Sequence, residues 1–307
     1  MAVDSTRVIA RLAETLMSAR NADGGWGYYE GKASRLEPTC WAILSLFDSG
    51  AELPLERLNL GLALLARWQK QNGLLSDIDG APPNLAFNGL AALLIRRVRE
   101  RRPVGVPGLA PLEARLLDNI RSEKGVQIRD SKFLRQDNRL PGWPWIDGTF
   151  SWVEPTAWCL LAVKKARRTL ADPRFDARIN EAERLLLNRC CLVGGWNYGN
   201  ANMLGKELHP YVPTTALGLL ALQDRREAPE VLRSRAWLKD HGVTESSVFA
   251  FSLALIAARV FGDPGDPLRV KLENQLAQTG GDANLAASGM ALYALTGSHH
   301  GYKALVV

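Results

Sequence analysis

The sequence has few of the features that mark secreted, membrane-spanning or metal-binding proteins. Four cysteines in 307 residues do not make a disulfide framework, and two of them, Cys190 and Cys191, are adjacent. The N-terminal segment lacks the apolar core of a signal peptide, and no run reaches the roughly 18 consecutive apolar residues of a membrane span. These absences predict a soluble, cytoplasmic protein.

Positive charge is modest and dispersed along the chain. The net charge is +6, from 38 Lys and Arg against 32 Asp and Glu. The one dense basic cluster, IRRVRERR at residues 95–102, is either the solvated end of a helix or a contact with phosphate or an anionic membrane surface. No zinc-finger, helix-turn-helix or aromatic-basic RNA-binding signature accompanies it. We therefore expect no nucleic-acid partner, and peripheral contact with the inner face of a membrane stays open.

Apolar segments with helical spacing are abundant, and they are of two kinds. Some are amphipathic, such as the stripe of Val8, Leu12 and Leu16 at i, i+4 and i+8. Others are apolar on every side, and a helix without a polar face has to be surrounded by other helices. Six segments of this second kind begin with a helix-start residue: Thr39, Asn84, Thr156, Thr214, Ser246 and Asn284.

The two kinds alternate as six amphipathic-then-apolar pairs, many joined by Gly-rich turns such as NADGGWGYYEG (21–31) and LVGGWNYGN (192–200). Six hairpins with buried second members predict an all-α fold, an (α/α)6 toroid with an inner parallel ring and an outer ring. We expect a single domain over residues 1–307. The loops before the inner helices should then converge on one mouth, bringing together Glu37, Pro83, Glu154, Tyr211, Glu245 and Asp282.

The GGWG turns and two similar helix starts, SRLEPTCW (34–41) and SWVEPTAW (151–158), resemble repeats of the terpenoid cyclase and protein prenyltransferase superfamily. Squalene–hopene cyclases look most similar, and the chain resembles one of their two helical barrels. The resemblance implies an enzyme that acts on an isoprenoid or another hydrophobic small molecule in an aromatic-lined central cavity. The prenyltransferase branch binds zinc through Asp, Cys and His, but no Asp-x-Cys occurs here, so no metal is expected.

The superfamily's class II cyclases protonate their substrate with the middle Asp of an Asp-x-Asp-Asp-Thr-Ala motif. The resemblance places Glu154 at that Asp, and Glu37 occupies the same position in the other helix start, while Pro155 stands where the motif has its next Asp. Burial in an apolar cavity would raise the carboxyl pKa and make either residue a general acid. The alternative is a first-turn acid that complements the helix dipole.

Two further residues are candidates for acid–base chemistry. Asp147, in the sequence WPWIDG, either pairs with Glu154 across the cavity or forms an Asp-Gly turn. His209 precedes Pro210 in a loop and is either an acid–base group or an ordinary surface histidine.

Aromatic residues are frequent in the mouth loops and at the starts of inner helices. They would stack on a sugar, stabilise a carbocation by cation–π attraction, or pack between helices. The candidates for substrate binding are Trp145, Trp152, Tyr28, Tyr198, Tyr211 and Phe87. We expect the other tryptophans to be wedges between helices: Trp26, Trp41, Trp68, Trp158 and Trp196.

These observations leave three functions open. The first is a terpenoid cyclase-like enzyme with an isoprenoid substrate and Glu154 as its general acid. The second is a non-catalytic toroid that holds a lipid or a protein, and the third is a carbohydrate-active α/α-barrel glycosidase or lyase, which would use paired carboxylates and stacking tryptophans. Diphosphate ionisation with Mg²⁺ is disfavoured because Asp-rich clusters are lacking, and no cofactor is expected.

Overall fold

A computed structural model describes residues 4–51, 53–102, 108–128 and 136–307, and within them the helices follow one another in pairs. The helices in chain order are α1 (Ser5–Ser18), α2 (Leu36–Asp48), α3 (Leu55–Arg67), α4 (Leu85–Arg101), α5 (Leu109–Ser122), α6 (Val153–Arg167), α7 (Pro173–Asn188), α8 (Val212–Ala221), α9 (Pro229–His241), α10 (Val248–Val260), α11 (Asp266–Thr279), α12 (Leu285–Leu295) and α13 (Gly297–His300). A short 3₁₀ helix spans Gly242–Thr244. Strands β1 (Asn202–Met203) and β2 (Lys206–Glu207) form an antiparallel hairpin before α8.

The even-numbered helices from α2 to α12 form a closed inner ring. Each of them packs against the next one along the chain, and α12 returns to pack against α2. The odd-numbered helices from α1 to α11 lie outside this ring and pack on it with one apolar face. The predicted (α/α)6 toroid is therefore confirmed: the segments that are apolar all round became the inner helices, because only there is every side of a helix shielded from water.

Hydrogen bonds between neighbouring hairpins tie together the ends at which inner helices begin. The first N–H of an α-helix has no partner within the helix, and here a carbonyl from the loop before the next inner helix accepts it. The bonds run from Leu36 to Asp77 (3.0 Å), Leu85 to Trp145 (2.9 Å), Val153 to Tyr198 (2.9 Å) and Leu285 to Tyr28 (2.8 Å). The last bond joins the end of the ring to its beginning, and the belt of bonds defines the mouth.

The threonines expected to open three inner helices have a different role. Helices α2, α6 and α8 begin two or three residues earlier, at Leu36, Val153 and Val212. The Oγ1 atom of Thr156 accepts the backbone N–H of Trp143 at 3.0 Å. The same contact joins Thr39 to Trp26 (2.9 Å). In α8 it is made by Thr215, the residue after the expected Thr214, which accepts the N–H of Trp196 at 3.0 Å. Threonine therefore fastens the Gly-Trp turn to the inner helix instead of capping that helix.

The tryptophan of each Gly-Trp turn is a buried wedge with a satisfied indole. The indole N–H donates to a carbonyl of the preceding outer helix, from Trp26 to Leu16 (2.6 Å) and from Trp196 to Leu186 (2.7 Å). Both rings are fully buried, as expected from the sequence. By contrast, the asparagines before α4 and α12 do cap their helices, as the sequence predicted: Asn84 accepts the N–H of Ala86 at 3.0 Å.

We predict that Thr156→Val lowers the free energy of unfolding by about 1–3 kcal/mol, because the buried N–H of Trp143 loses its acceptor while the volume hardly changes. Thr39→Val should cost a similar amount, since the same contact recurs there. Urea denaturation of both variants measures the effect. A change below about 0.5 kcal/mol in both would show that this N–H finds another acceptor.

The interior of the ring is filled below the mouth. Trp41 of α2 and Trp158 of α6 meet edge to face with ring centroids 5.8 Å apart, although their helices are not neighbours in the ring. Tyr293 of α12 lies against Trp41 at 6.1 Å. At the far end the C-terminal tail covers the ring, where Leu305 is buried and its carbonyl accepts a hydrogen bond from Gln223 at 2.9 Å. The mouth is therefore the accessible end.

The basic cluster at 95–102 lies at the end of α4 that is remote from the mouth, and it is partly neutralised. Arg97 binds the buried carboxylate of Asp48 at 2.9 Å, and Arg96 pairs with Glu113, which is also buried. Two buried carboxylates therefore hold part of the charge of the cluster, while Arg101 and Arg102 are exposed, and membrane contact through them stays a prediction. Among the described helices, none is long and apolar enough to cross a membrane.

Candidate active site

Two carboxyl groups lie at the mouth, each at the second residue of an inner helix. Glu37 begins α2 and Glu154 begins α6. Both side chains are closely surrounded by protein and yet remain partly accessible to solvent, as expected on the wall of a recess. Burial, and after it the charge of Glu37, raise the pKa of Glu154 to about 8. The two carboxyls are thus close enough to influence each other's protonation.

The two carboxyls differ in their hydrogen bonds. The hydroxyl of Tyr28 donates to Oε2 of Glu37 at 2.7 Å. Burial raises the pKa of Glu37 to about 7, the bond from Tyr28 opposes this, and the charge of Asp77 adds to it. Among the described residues Glu154 has no hydrogen-bond or ion-pair partner. Of the pair, Glu37 is therefore the easier to ionise and Glu154 the easier to keep protonated.

Asp77 completes this cluster, and it was not predicted from the sequence as a residue of the site. Its carboxylate pairs with Arg35, the residue before α2, with Nε at 2.8 Å, and it also accepts the N–H of Leu36 at 3.1 Å. A signal was present in the sequence. Asp77 occurs two residues after Leu75, as Tyr28 occurs two residues after Trp26. Leu75 takes the place of the wedge tryptophan in this turn, and its N–H donates to Oδ1 of Asn88 at 2.7 Å. The repeat thus brings one side chain per turn to the mouth.

The aromatic candidates differ in exposure. Tyr198 and Tyr211 are half-exposed at the mouth, with ring centroids 5.2 Å apart. Tyr28 and Trp145 also belong to the mouth, because their carbonyls accept bonds of the belt, but like Phe87 they are partly buried against the core. Tyr198 and Tyr211 therefore present the most surface to a ligand.

The other two acid–base candidates are exposed, and neither contributes to the raised pKa of Glu37 or Glu154. Asp147 is exposed in the turn before α6, and its charge acts on Glu123, whose pKa is raised by burial and then by that charge. It does not contribute to the raised pKa of Glu154. His209 is exposed in the loop before Pro210. Only Glu37 and Glu154 are brought together among the four acid–base candidates.

Metal binding has no support in the part of the chain that the structure describes. No group of three or more His, Cys, Asp or Glu side chains there is arranged to hold an ion. The four cysteines are free thiols, two of them on inner helices.

Fold and site together define an α/α toroid with a carboxyl pair at its mouth. No protein-family profile and no curated protein matches the sequence. Solved structures do match. A protein from Actinoplanes is 17% identical with a TM-score of 0.65, covering 96% of this chain and 100% of the other. An α-amylase from Clostridium perfringens is 11% identical with a TM-score of 0.67, covering 94% and 97%.

A third match carries a bound sugar. An inactive variant of an α-1,6-mannanase from a Salegentibacter species, in complex with α-1,6-mannotriose, is 9% identical with a TM-score of 0.68, and the match covers 95% of this chain and 98% of the other. Identities this low show the fold and not the activity.

The prediction of a terpenoid cyclase-like enzyme with an isoprenoid substrate was wrong. The toroids that this chain matches over nearly their whole length include enzymes named for glycans, and the bound ligand named among them is an oligosaccharide. The structure supplies a physical reason. Trp41, Trp158 and Tyr293 fill the centre of the ring, where a hydrophobic chain would need a deep cavity. The GGWG and EPT repeats reflect how hairpins join in a toroid, through the Thr–Trp contact, and not the substrate.

Proposed function

We propose that the chain, as one toroid domain over residues 1–307, is a glycoside hydrolase that binds its glycan across the mouth. The coupled carboxyl pair of Glu37 and Glu154 carries this proposal. Glycosidases use two carboxyl groups, one protonated to donate to the leaving oxygen and one ionised to act as base or nucleophile. Neighbouring carboxyls with pKa values pushed apart divide these roles between them.

The environments assign the two roles. Glu154 lacks a donor that would stabilise its anion and has the higher pKa, about 8, so it is the general acid that protonates the glycosidic oxygen. Glu37 has its anion stabilised by the hydroxyl of Tyr28 and has a pKa of about 7, so it is the base or nucleophile. The exposed rings of Tyr198 and Tyr211 would stack on sugar units beside the scissile bond.

We predict that Tyr28→Phe moves the acid limb of the pH profile of kcat/KM to higher pH. Activity needs Glu37 ionised and Glu154 protonated, so the profile should be bell-shaped with a maximum between about 7 and 8. The bond from Tyr28 lowers the pKa of Glu37, and its loss raises that pKa, which narrows the profile from the acid side. An acid limb that stays in place, in a variant with an unchanged circular dichroism spectrum, would remove Glu37 from its assigned role.

The proposal is tested with purified protein and a panel of glycans: α-1,6-mannan, starch, cellulose, xylan and polyuronates. New reducing ends that disappear in both Glu154→Gln and Glu37→Gln are the expected result. An unsaturated sugar at the new end would identify a lyase instead of a hydrolase. Glycan binding without any cleavage across the panel would favour a toroid that only binds, and cleavage that survives both substitutions would place the chemistry elsewhere.

A further inference from the structure

A small cavity lies on the rim of the mouth beside the start of α6, and we call it the rim pocket. Its volume is about 160 Å³, and its lining includes Trp152, Phe150, Arg189, Asn138 and Gln136. Trp152 directly precedes α6 and stands two residues before Glu154, so their Cα atoms are at most about 7 Å apart. The rim pocket therefore adjoins the proposed general acid. Its volume is that of about five water molecules in the liquid, which suits one sugar unit.

The outer wall of the rim pocket is apolar and partly exposed. The ring of Phe150 is 50% exposed and Val126 is 47% exposed, and both line the cavity with Trp152. Exposed aromatic and branched side chains that converge on one concave site are characteristic of ligand pockets. A flat aromatic face also accepts the C–H face of a sugar ring. The wall thus suits a ring-shaped ligand.

The floor of the rim pocket holds a buried cation that forms no ion pair among the described residues, and the charge of Asp137 acts on it only from a longer distance. Arg189 is 6% exposed, and its guanidinium donates to the carbonyl of Gly199 at 2.6 Å and to Oδ1 of Asn138 at 3.1 Å. Neither acceptor carries a charge. Among the described residues no Asp or Glu forms an ion pair with Arg189, and Nε of this guanidinium is buried without a hydrogen-bond partner.

Burying the guanidinium of Arg189 without an ion pair destabilises the fold unless a negative charge compensates it. A buried charge is normally paired, because the protein interior solvates ions poorly. Burial lowers the pKa of Arg189 to about 10, which expresses the same cost. The amide nitrogen of Asn138 is also buried without a partner. The amide of Gln136 is better placed with its oxygen and nitrogen exchanged, and its oxygen then accepts a bond from Nη1 of Arg189 at 2.5 Å. The floor therefore holds a positive charge that neutral oxygens solvate and that pairs with no carboxylate among the described residues.

We propose that the rim pocket is a subsite for an acidic sugar, in which Arg189 binds the carboxylate of a uronic acid unit while Trp152 and Phe150 flank its ring. Nη1 and Nη2 of Arg189 already donate to neutral oxygens and Nε is enclosed by protein, so the carboxylate would be held by the charge of the guanidinium and by the second N–H of Nη2. The proposal rests on the proposed glycoside hydrolase function and adds the substrate class. The glycan would then run from the rim pocket across Glu154.

The test measures binding, not turnover. Methyl glycosides of glucuronic, galacturonic and mannuronic acid are titrated by NMR against those of glucose, galactose and mannose, and inorganic phosphate is a further probe. The indole N–H signal of Trp152, assigned with Trp152→Phe, reports on the rim pocket. We expect at least one acidic glycoside to bind about 10-fold more tightly than its neutral counterpart. Equal binding of both series, or phosphate binding as tightly as the acidic sugar, would overturn the proposal.

Two substitutions separate charge from stacking. Arg189→Met should reduce the affinity for the acidic glycoside to that of the neutral one, whereas Phe150→Ala should weaken both series by the same factor. A folded Arg189→Met variant that keeps the preference would refute the role of Arg189. If that variant does not fold, the proposal is decided by the preference of the wild-type protein for acidic over neutral glycosides and by the effect of Phe150→Ala, which alters an exposed side chain.

Failure of the subsite and failure of the hydrolase can be told apart by experiment. Glu154→Gln should keep the preference for the acidic glycoside, because Glu154 does not line the rim pocket. Acidic sugar bound there without cleavage of any glycan would support the subsite and refute the hydrolase. Cleavage of a neutral glycan without binding of any acidic glycoside would support the hydrolase and refute the subsite.

Discussion

Replacing Glu154 by glutamine is expected to lower kcat for glycan hydrolysis by about 10³-fold, within the range that general acid catalysis contributes. Glutamine has nearly the same shape but cannot give a proton to the glycosidic oxygen. Because the defect concerns the leaving group, aryl glycosides that leave as stable anions should recover much of the rate in this variant. Glu37→Gln should not show that recovery, since it removes the base or nucleophile.

The matched control for this substitution is Glu30→Gln. Glu30 is an exposed carboxyl in the turn that follows Tyr28, and it lies outside the pair. Its replacement makes the same change from carboxyl to amide away from the mouth and should leave kcat within a factor of about two. A loss in Glu30→Gln as large as in Glu154→Gln would mean that the effect does not depend on the acid at the mouth.

Glu154→Gln should also stabilise the fold at high pH. The pKa of Glu154 is raised in the folded state to about 8, so the ionised form destabilises the fold. Near pH 4 the side chain is neutral in both states, and Gln and Glu should be equally stable. The difference should grow as the pH rises from about 5 to 8, at about 1.4 kcal/mol per unit of pKa shift as an upper limit. Thermal unfolding at pH 4 and pH 9 measures it, and a pH-independent difference would contradict the burial of this carboxyl.

The second large effect is expected from Gly89→Ala on α4. A Cβ atom at Gly89 would lie 2.6 Å from the carbonyl carbon of Trp158 and 2.8 Å from the nitrogen of Cys159, both in the backbone of α6. In an ordinary helix this change would stabilise by about 1 kcal/mol. Here α6 has to move, so we expect a loss of about 2–4 kcal/mol in the free energy of unfolding, as for overpacked cores. Because α6 carries Glu154, kcat should fall as well.

Gly31→Ala is the control for steric effects. Gly31 has a positive φ of 71° but nothing within 4 Å of the added carbon, so only backbone strain of about 1 kcal/mol is expected. Urea denaturation compares the two variants. Equal losses would show that α4 and α6 separate without cost at Gly89.

The mouth could be predicted only in part from the sequence. Glu37 and Glu154 were found because they stand in a repeated helix start, and a repeat puts equivalent residues at equivalent places in a ring. Asp77 was missed because its turn has Leu75 instead of tryptophan, which hid its equivalence to Tyr28. The separation of Asp147 from Glu154 also escaped the sequence, since seven residues along the chain say nothing about the direction in which a turn points.

The sequence alone determined the architecture of this protein, because helical periodicity and burial are local consequences of side-chain chemistry. A segment that is apolar on every side must be enclosed, and six such segments paired with six amphipathic ones leave few arrangements besides two rings. The tertiary structure decided the rest: that Trp41, Trp158 and Tyr293 fill the ring, that Glu37 raises the pKa of Glu154, and that Arg189 is buried without an ion pair among the described residues. Such properties depend on distances between residues far apart in the chain, and no local pattern encodes those distances.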